Sequence, residues 1–168
     1  LGVTTAGQLS IRWIEGKINE WMNKVLQTEN RDYVIASDTD SIYLRMGDLI
    51  EKYIKDTSNR DKVISLMDKI CEEKIQPYID KSYKELADYV KAYDQKMQMK
   101  REGLSDKGVW TAKKRYILNV YNNEGVQYSE PKMKVMGLEM IKSSTPSAIR
   151  EKMKSTIQLM MTGTEAEV

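Results

Sequence analysis

The 168-residue sequence contains no histidine, a single cysteine and no apolar run long enough to span a membrane. Without histidine, the chain lacks the side chain that most often performs acid–base catalysis and the commonest zinc ligand. One cysteine, Cys71, permits no internal disulfide, which is typical of a reducing compartment. The first residue is leucine and no signal peptide is recognisable. We therefore expect a cytoplasmic, soluble piece of a longer protein. The net charge of +2 gives little indication of partners.

Two aspartates, Asp38 and Asp40, are separated by one residue and lie between two short apolar runs. These runs are rich in β-branched and aromatic residues, which predicts two strands of a hairpin over residues 33–36 and 41–46. Carboxylates one residue apart at a strand junction project towards the same side. They are placed to hold one divalent cation or a pair, as in phosphoryl or nucleotidyl transfer, where the metals lie about 3.5–4 Å apart.

The same residues permit a simpler interpretation. Asp and Ser are common turn residues whose side chains bond nearby backbone groups, so Asp38-Thr39-Asp40-Ser41 is also typical of a turn with no catalytic role. A calcium loop of the EF-hand kind is excluded. Counted from Asp38, its fifth, sixth and twelfth positions hold Ile42, Tyr43 and Leu49 instead of an oxygen ligand, Gly and Glu.

The rest of the first hundred residues has helical periodicity. A capping box at Thr5 and Gln8 followed by apolar residues at helical spacing predicts a helix over 6–27. A second helical stretch opens near Ser58-Asn59 and continues to about Met97, and Pro77 should end or kink it.

From about residue 110 the periodicity becomes that of strands. Residues 116–121 and 126–128 predict a hairpin around a turn at 122–125, and Thr145 with Pro146 predicts the N-cap and first residue of a last helix that ends near Gly163. The order of elements indicates an α+β fold in which helices cover one face of an antiparallel sheet.

Asp38-Thr39-Asp40-Ser41 with a strand on each side resembles the third polymerase motif of family B DNA polymerases. The residues before the first aspartate are Ala36-Ser37, where the family usually has Tyr-Gly, which leaves the carboxylates in place. Together with three further blocks in the same order, the chain most resembles the replicative enzymes of T-even-like bacteriophages. The three blocks are Thr4-Thr5-Ala6-Gly7-Gln8, Trp110-Thr111-Ala112-Lys113-Lys114-Arg115-Tyr116, and Glu130-Pro131-Lys132 through Glu139 to Pro146.

The resemblance implies roles for individual residues. Asp40 would be a ligand of both catalytic Mg²⁺ ions, Asp38 would lie near them, and Glu102 would lie beside the active site. A second set would contact primer-template DNA near the primer terminus, with Lys132 and Lys134 as helpers. That set comprises Lys113, Lys114, Arg115, Tyr116 and Lys142.

The resemblance also implies a division into the carboxyl-terminal part of a palm domain, residues 1–137, and the start of a thumb domain, residues 138–168. The first two polymerase motifs, which supply another metal-binding aspartate and the grip on the incoming dNTP, are absent from this sequence. We therefore expect the chain to be inactive alone, as a truncated fragment or as one half of a split enzyme. A second chain would then carry the exonuclease, fingers and first palm motif. Two alternatives remain open at this point, a nucleotide-sugar glycosyltransferase with an Asp-x-Asp metal site and a non-catalytic DNA-binding module.

Overall fold

The computed structural model describes residues 2–163. It divides into two compact units, Leu1–Arg101 and Glu102–Val168. Helices alternate with two small antiparallel sheets, one of two strands and one of three, so the predicted α+β class is confirmed. Within residues 2–163, no helix is both long and apolar enough to cross a membrane.

The first unit is built on helix α1, Gly2–Leu26. Four of its apolar residues recur every fourth position and are buried, and they form the apolar stripe of the helix: Ile14, Ile18, Met22 and Leu26. The chain is already helical at Gly2, so Thr5 lies inside the helix and the predicted capping box was wrong. No proline precedes Thr5 to stop the helix from extending towards the amino terminus.

The predicted hairpin is confirmed, with strands β1, Val34–Asp38, and β2, Ser41–Leu44. A seven-residue helix, α2, Gly47–Tyr53, follows it and was not predicted. Seven residues make only two helical turns, too few for a periodic apolar pattern to stand out.

The second helical stretch is confirmed in part. Helix α3, Arg60–Ile70, begins where predicted, because the Asn59 side chain accepts a hydrogen bond from the N–H of Lys62 and caps it. A π-helical turn over Cys71–Ile75 then leads into helix α4, Gln76–Tyr89, with Pro77 in its first turn. Pro77 therefore does not end the helical stretch, whose regular α-helical pattern is interrupted by the π-helical turn directly before α4.

The predicted continuation to Met97 was wrong, because α4 ends at Tyr89 and Lys91 adopts a positive φ of 54°. Val90 and Tyr93 keep the helical spacing, but Val90 is 46% exposed and Tyr93 fully exposed, so their spacing did not reflect burial. The following segment is held to its own unit at two places. The Gln76 side-chain amide donates to the Met99 carbonyl at 2.8 Å, and Arg101 pairs with Asp68.

α1 and α4 pack together and form the core of the first unit. The Trp13 indole N–H donates to the Ser82 carbonyl at 2.9 Å, and the Trp13 ring stacks on Tyr89 with 5.8 Å between centroids. Cys71 has a free thiol, and burial raises its pKa to about 11. Its partly buried environment therefore disfavours the reactive thiolate form.

The second unit contains a three-stranded antiparallel sheet of β3, Gly103–Ala112, β4, Arg115–Asn123, and β5, Val126–Met136. The predicted hairpin is confirmed by β4 and β5, which pair at Asn123 and Val126. β4 lies in the middle and is buried along residues 116–122. The edge strand β3 was not predicted, because almost all of its residues are exposed and many are small or polar.

A 3-10 turn, Glu139–Ile141, and helix α5, Ser147–Thr162, complete the second unit. The helix ends before Gly163, as predicted. Its predicted cap was wrong, because the cap position falls on Pro146 and has no side-chain hydrogen bond. The Thr145 hydroxyl instead donates to the Glu139 carbonyl at 2.8 Å and closes the turn before the helix.

Candidate functional site

The two aspartates lie at the closed end of the first hairpin. Asp38 is the last residue of β1 and pairs with Ser41, the first of β2, so Thr39 and Asp40 alone form the turn. Thr39 has a φ of 34°, in the left-handed region that a β-branched residue resists. Asp38 is half-buried and Asp40 is exposed at the tip. The turn is tighter than predicted, because strand pairing continues through Ser37 and Asp38.

Short-range hydrogen bonds shape this turn. The Thr39 hydroxyl donates to the Asp38 carboxylate at 3.1 Å, and the Ser41 hydroxyl donates to the Asp38 backbone carbonyl at 3.2 Å. Asp38 thus takes part in the local structure of the turn, whereas the carboxylate of Asp40 extends into solvent. Carboxylate oxygens are the ligands that Mg²⁺ prefers, so the donor chemistry fits a magnesium site.

The aspartate pair forms only a small set of possible metal ligands. Among residues 2–163, no group of three or more Cys, Asp and Glu side chains is arranged to hold a metal ion. Mg²⁺ in proteins is commonly bound by one or two carboxylates together with water and substrate phosphates. The two aspartates therefore fit as part of a metal site.

Glu102 belongs to the second unit, whereas both aspartates belong to the first. It directly precedes β3, its carboxylate pairs with the Lys134 ammonium group, and its carbonyl accepts from the N–H of Glu124 at 2.6 Å. The carboxylate is exposed and neutralised locally. Within this unit, the ion pair between Glu102 and Lys134 connects the start of β3 to β5.

Three of the predicted DNA-binding residues surround the turn between β3 and β4. Ala112 pairs with Arg115, so Lys113 and Lys114 form a two-residue turn, and all three basic residues are exposed. The turn is backed by Gly137, where a Cβ atom would lie 2.2 Å from the Lys114 carbonyl oxygen. Only glycine permits this close approach. The φ of 68° at Gly137 also favours glycine, because residues with a Cβ atom rarely adopt it.

Arg115 and Lys142 are brought together by Glu139. The Glu139 carboxylate lies 2.9 Å from Lys142 Nζ and 3.9 Å from Arg115 Nη1. The hydrogen bond from Lys142, with smaller help from the local backbone and from Arg115, lowers the pKa of Glu139. Sequence reasoning did not assign this carboxylate a role, although its spacing of three residues from Lys142 is a recognisable ion-pair pattern.

The remaining predicted residues have different environments. Tyr116 is 7% exposed, and its ring lies 6.3 Å from that of Trp110, so it is mainly a core residue of the sheet. Lys132 is exposed and lies over the ring of Tyr128 at 4.0 Å. Lys134 is half-buried, and its ammonium group forms an ion pair with Glu102. Of the two predicted helpers, Lys132 is therefore the more accessible.

Comparison with known proteins identifies the family to which the chain belongs. The family described as Divergent Family B DNA polymerase matches residues 22–167. Because the match covers most of the chain, this protein belongs to that family. The membership decides against the glycosyltransferase alternative.

Two curated relatives are similar to nearly the whole chain. The DNA-directed DNA polymerase of Escherichia phage RB69 is 41% identical over 95% of this chain, and that of Enterobacteria phage T4 is 39% identical over 99%. The chain spans 19% and 20% of their respective lengths. The predicted resemblance to polymerases of T-even-like phages is thereby confirmed.

Proposed function

We propose that this chain supplies the third-motif hairpin and a DNA-contacting sheet to a DNA polymerase that adds dNTPs to a primer 3′ end. The observation that carries the proposal is the two-residue turn that presents Asp40, with Asp38 at the adjacent strand end. Its donor chemistry fits Mg²⁺, and its sequence context is that of a family whose relatives are named DNA-directed DNA polymerases.

In this proposal Asp40 is the metal ligand and Asp38 the nearby supporting carboxylate. Asp40 is exposed at the tip, so its oxygens are accessible to cations, whereas Asp38 accepts a hydrogen bond from Thr39. A pair of Mg²⁺ ions, when bound, would stabilise the attacking and leaving oxygens of nucleotidyl transfer. What the chain itself contributes is fixed negative charge at the end of a short hairpin.

The duplex-binding part of the proposal rests on Lys113, Lys114, Arg115 and Lys142. The lysine turn is exposed, and Glu139 holds the other two cations near each other. Lysine and arginine contacts to phosphates supply most of the sequence-independent affinity for DNA. We propose that these residues contact the primer-template backbone with little sequence preference, as part of a palm domain over residues 1–137 and the start of a thumb over 138–168.

We further propose that the 168-residue polypeptide needs a complementing polypeptide for activity. That partner would supply the exonuclease, the fingers and the first palm motif, including the remaining metal-binding aspartate and the groups that grip the dNTP. The proposal is supported by the chain spanning only 19% and 20% of the lengths of the two polymerase relatives, and by the finding that no group of three possible metal ligands occurs among residues 2–163.

The test is single-nucleotide incorporation by the chain mixed with such a complementing polypeptide under saturating Mg²⁺. Asp40→Asn should lower kcat by several orders of magnitude, because it removes a direct metal ligand. Asp38→Asn should lower it by about 10–100-fold, the usual effect of losing a supporting contact. Asp106→Asn, which removes one carboxylate from the second unit, serves as the matched control and should retain activity.

The contrary results are equally specific. Equal damage from Asp38→Asn and Asp40→Asn would show that the two roles are wrongly assigned. If neither change affects incorporation, the hairpin is not part of the catalytic site. Duplex binding that persists while no complemented mixture extends a primer would favour the non-catalytic DNA-binding module instead.

A further inference from the structure

The hairpin that carries the aspartates has little packing of its own. It belongs to a two-stranded sheet, and all four residues of β2 are only half-buried. An isolated two-stranded hairpin is marginally stable in water, so its position depends on its contacts with α1 and on its connections. Those connections are the segment between α1 and β1 and the residues that follow β2.

Tyr33, the residue before β1, is the fixed point at the base of the hairpin. Its side chain is fully buried, and its hydroxyl shares a 2.9 Å hydrogen bond with that of Thr28. Its N–H donates to Asn19 Oδ1 at 2.9 Å, and its carbonyl accepts from the N–H of Arg45 at 2.8 Å. Arg45 directly follows β2, so Tyr33 joins both ends of the hairpin to α1.

Asn19 uses both ends of its side-chain amide for this attachment. While Oδ1 accepts from Tyr33, Nδ2 donates to Asp32 Oδ1 at 2.8 Å. The same Asp32 oxygen accepts from the N–H of Val34, the first residue of β1, at 3.1 Å. One helical side chain therefore fixes three consecutive residues at the entrance to the strand.

Asn23 lies one helical turn further along the same face of α1. Its Nδ2 donates to the Arg31 carbonyl at 2.8 Å, and its Oδ1 accepts from the N–H of Arg31 at 3.0 Å and from the Thr28 hydroxyl at 2.8 Å. Arg31 also pairs with Asp48 of α2 at 2.7 Å. Both asparagines thus form hydrogen bonds with the same connecting segment, residues 27–33, and Asn23 Nδ2 also donates to the Asn19 carbonyl at 2.9 Å.

We propose that Asn19 and Asn23 are positioning residues for the Asp38 and Asp40 carboxylates. α1 is anchored by its buried stripe, and the two side chains transfer that fixed position to the base of the hairpin. In this proposal neither asparagine touches the reacting atoms. The inference rests on the proposed function for its catalytic consequence, whereas the structural part stands on the hydrogen bonds alone.

The test combines hydrogen exchange of the full 168-residue chain with complemented nucleotide incorporation. Asn19→Ala should raise amide exchange in residues 34–44 by about tenfold or more, since local opening is favoured when net hydrogen bonds are removed, and leave α4 unchanged. Asn23→Ala is the second variant, with the same expectation. In the complemented reaction each should lower kcat by about 10–100-fold, with KM for primer-template unchanged.

The matched control is Asn59→Ala, which removes the cap of α3 in the same unit without touching the hairpin. It should speed exchange at the start of α3 and leave both the hairpin and kcat as they were. Asn19→Asp adds a graded variant, because it keeps an acceptor for Tyr33 but places a second carboxylate against Asp32. Its exchange and kcat should fall between those of the wild type and Asn19→Ala.

Two results would overturn the inference. One is equal loss of protection in α4 and the hairpin, which would mean that the asparagines support the unit as a whole. The other is a deprotected hairpin with undiminished kcat. Failure of the proposed function is distinguishable from both, because it would appear as indifference to Asp40→Asn while the exchange results are unaffected.

Discussion

At the scale of single residues, the two candidate sites depend on unusual backbone conformations at their turns. Thr39 in the aspartate hairpin and Lys114 in the basic turn both have positive φ, 34° and 61° respectively. Such conformations cost about 1–3 kcal/mol in non-glycine residues and persist where the surroundings enforce them. In the basic turn, an identifiable neighbour, Gly137, packs against the Lys114 carbonyl.

Gly137 provides the sharpest stability prediction. Gly137→Ala would place a methyl group 2.2 Å from a backbone oxygen at a φ of 68°, so either the turn or the end of β5 must move. We expect a loss of about 2–4 kcal/mol in the free energy of unfolding of the second unit, measured by urea denaturation.

Gly125→Ala is the matched control for that substitution. Gly125 also has a positive φ, 87°, but a Cβ atom there meets nothing within 4 Å. It should cost about 1 kcal/mol from backbone conformation alone. Equal losses of unfolding free energy in the two variants would show that the close approach of Gly137 to Lys114 does not affect stability.

At the scale of elements, the sequence pattern predicted those helices that depend on interactions between residues close together in the chain. The buried stripe of α1 and the capping side chain of Asn59 follow from spacing and short-range hydrogen bonding, so both helices were found. The strand β3 depends instead on pairing with β4, and its exposed, polar residues have no alternation to reveal it. The end of α4 was missed because Val90 and Tyr93 keep helical spacing without being buried.

In the candidate site, too, some features could be predicted from the local sequence and others could not. Asp38 and Asp40 are close neighbours in sequence, so their hairpin could be predicted from the local pattern of residues alone. The link from Glu139 to Arg115 joins residues 24 apart through the fold, and the support from Asn19 to Tyr33 spans a helix and a loop. Contacts of this kind depend on tertiary packing, which spacing along the chain does not report.

The proposed contribution of the basic turn to DNA affinity can be measured. Lys113→Ala with Lys114→Ala should weaken binding to a primer-template duplex and reduce the slope of log affinity against log salt by about 1 for each phosphate that is no longer neutralised. Fluorescence anisotropy at several salt concentrations measures both quantities. Lys55→Ala with Lys74→Ala makes the same charge change at exposed positions of the first unit and should leave the slope near its original value. An unchanged slope in the first variant would mean that the turn only faces solvent.

At the scale of the whole molecule, folding and catalysis should be separable. The first unit has a core between α1 and α4, and the second has a core along β4, so each has buried apolar residues of its own. The curated relatives, by contrast, are about five times as long as the part that this chain matches. A polypeptide of this extent can therefore be well packed while holding, as we propose, only part of a catalytic site.

We accordingly expect the purified 168-residue chain to fold cooperatively, to bind primer-template duplex weakly and to extend no primer. The physical reason is the proposed ligand count: we propose that Asp38 and Asp40 supply one side of a two-metal site and that a carboxylate of the complementing polypeptide completes it. Primer extension with all four dNTPs and saturating Mg²⁺ measures the activity, while circular dichroism on the same sample establishes that it is folded.

The Asp40→Asn variant, purified in parallel, reports any contaminating host polymerase. Extension by the wild-type chain that disappears in this variant would show that the hairpin can organise catalysis without a complementing polypeptide, and the proposed division of the site between two polypeptides would have to be abandoned.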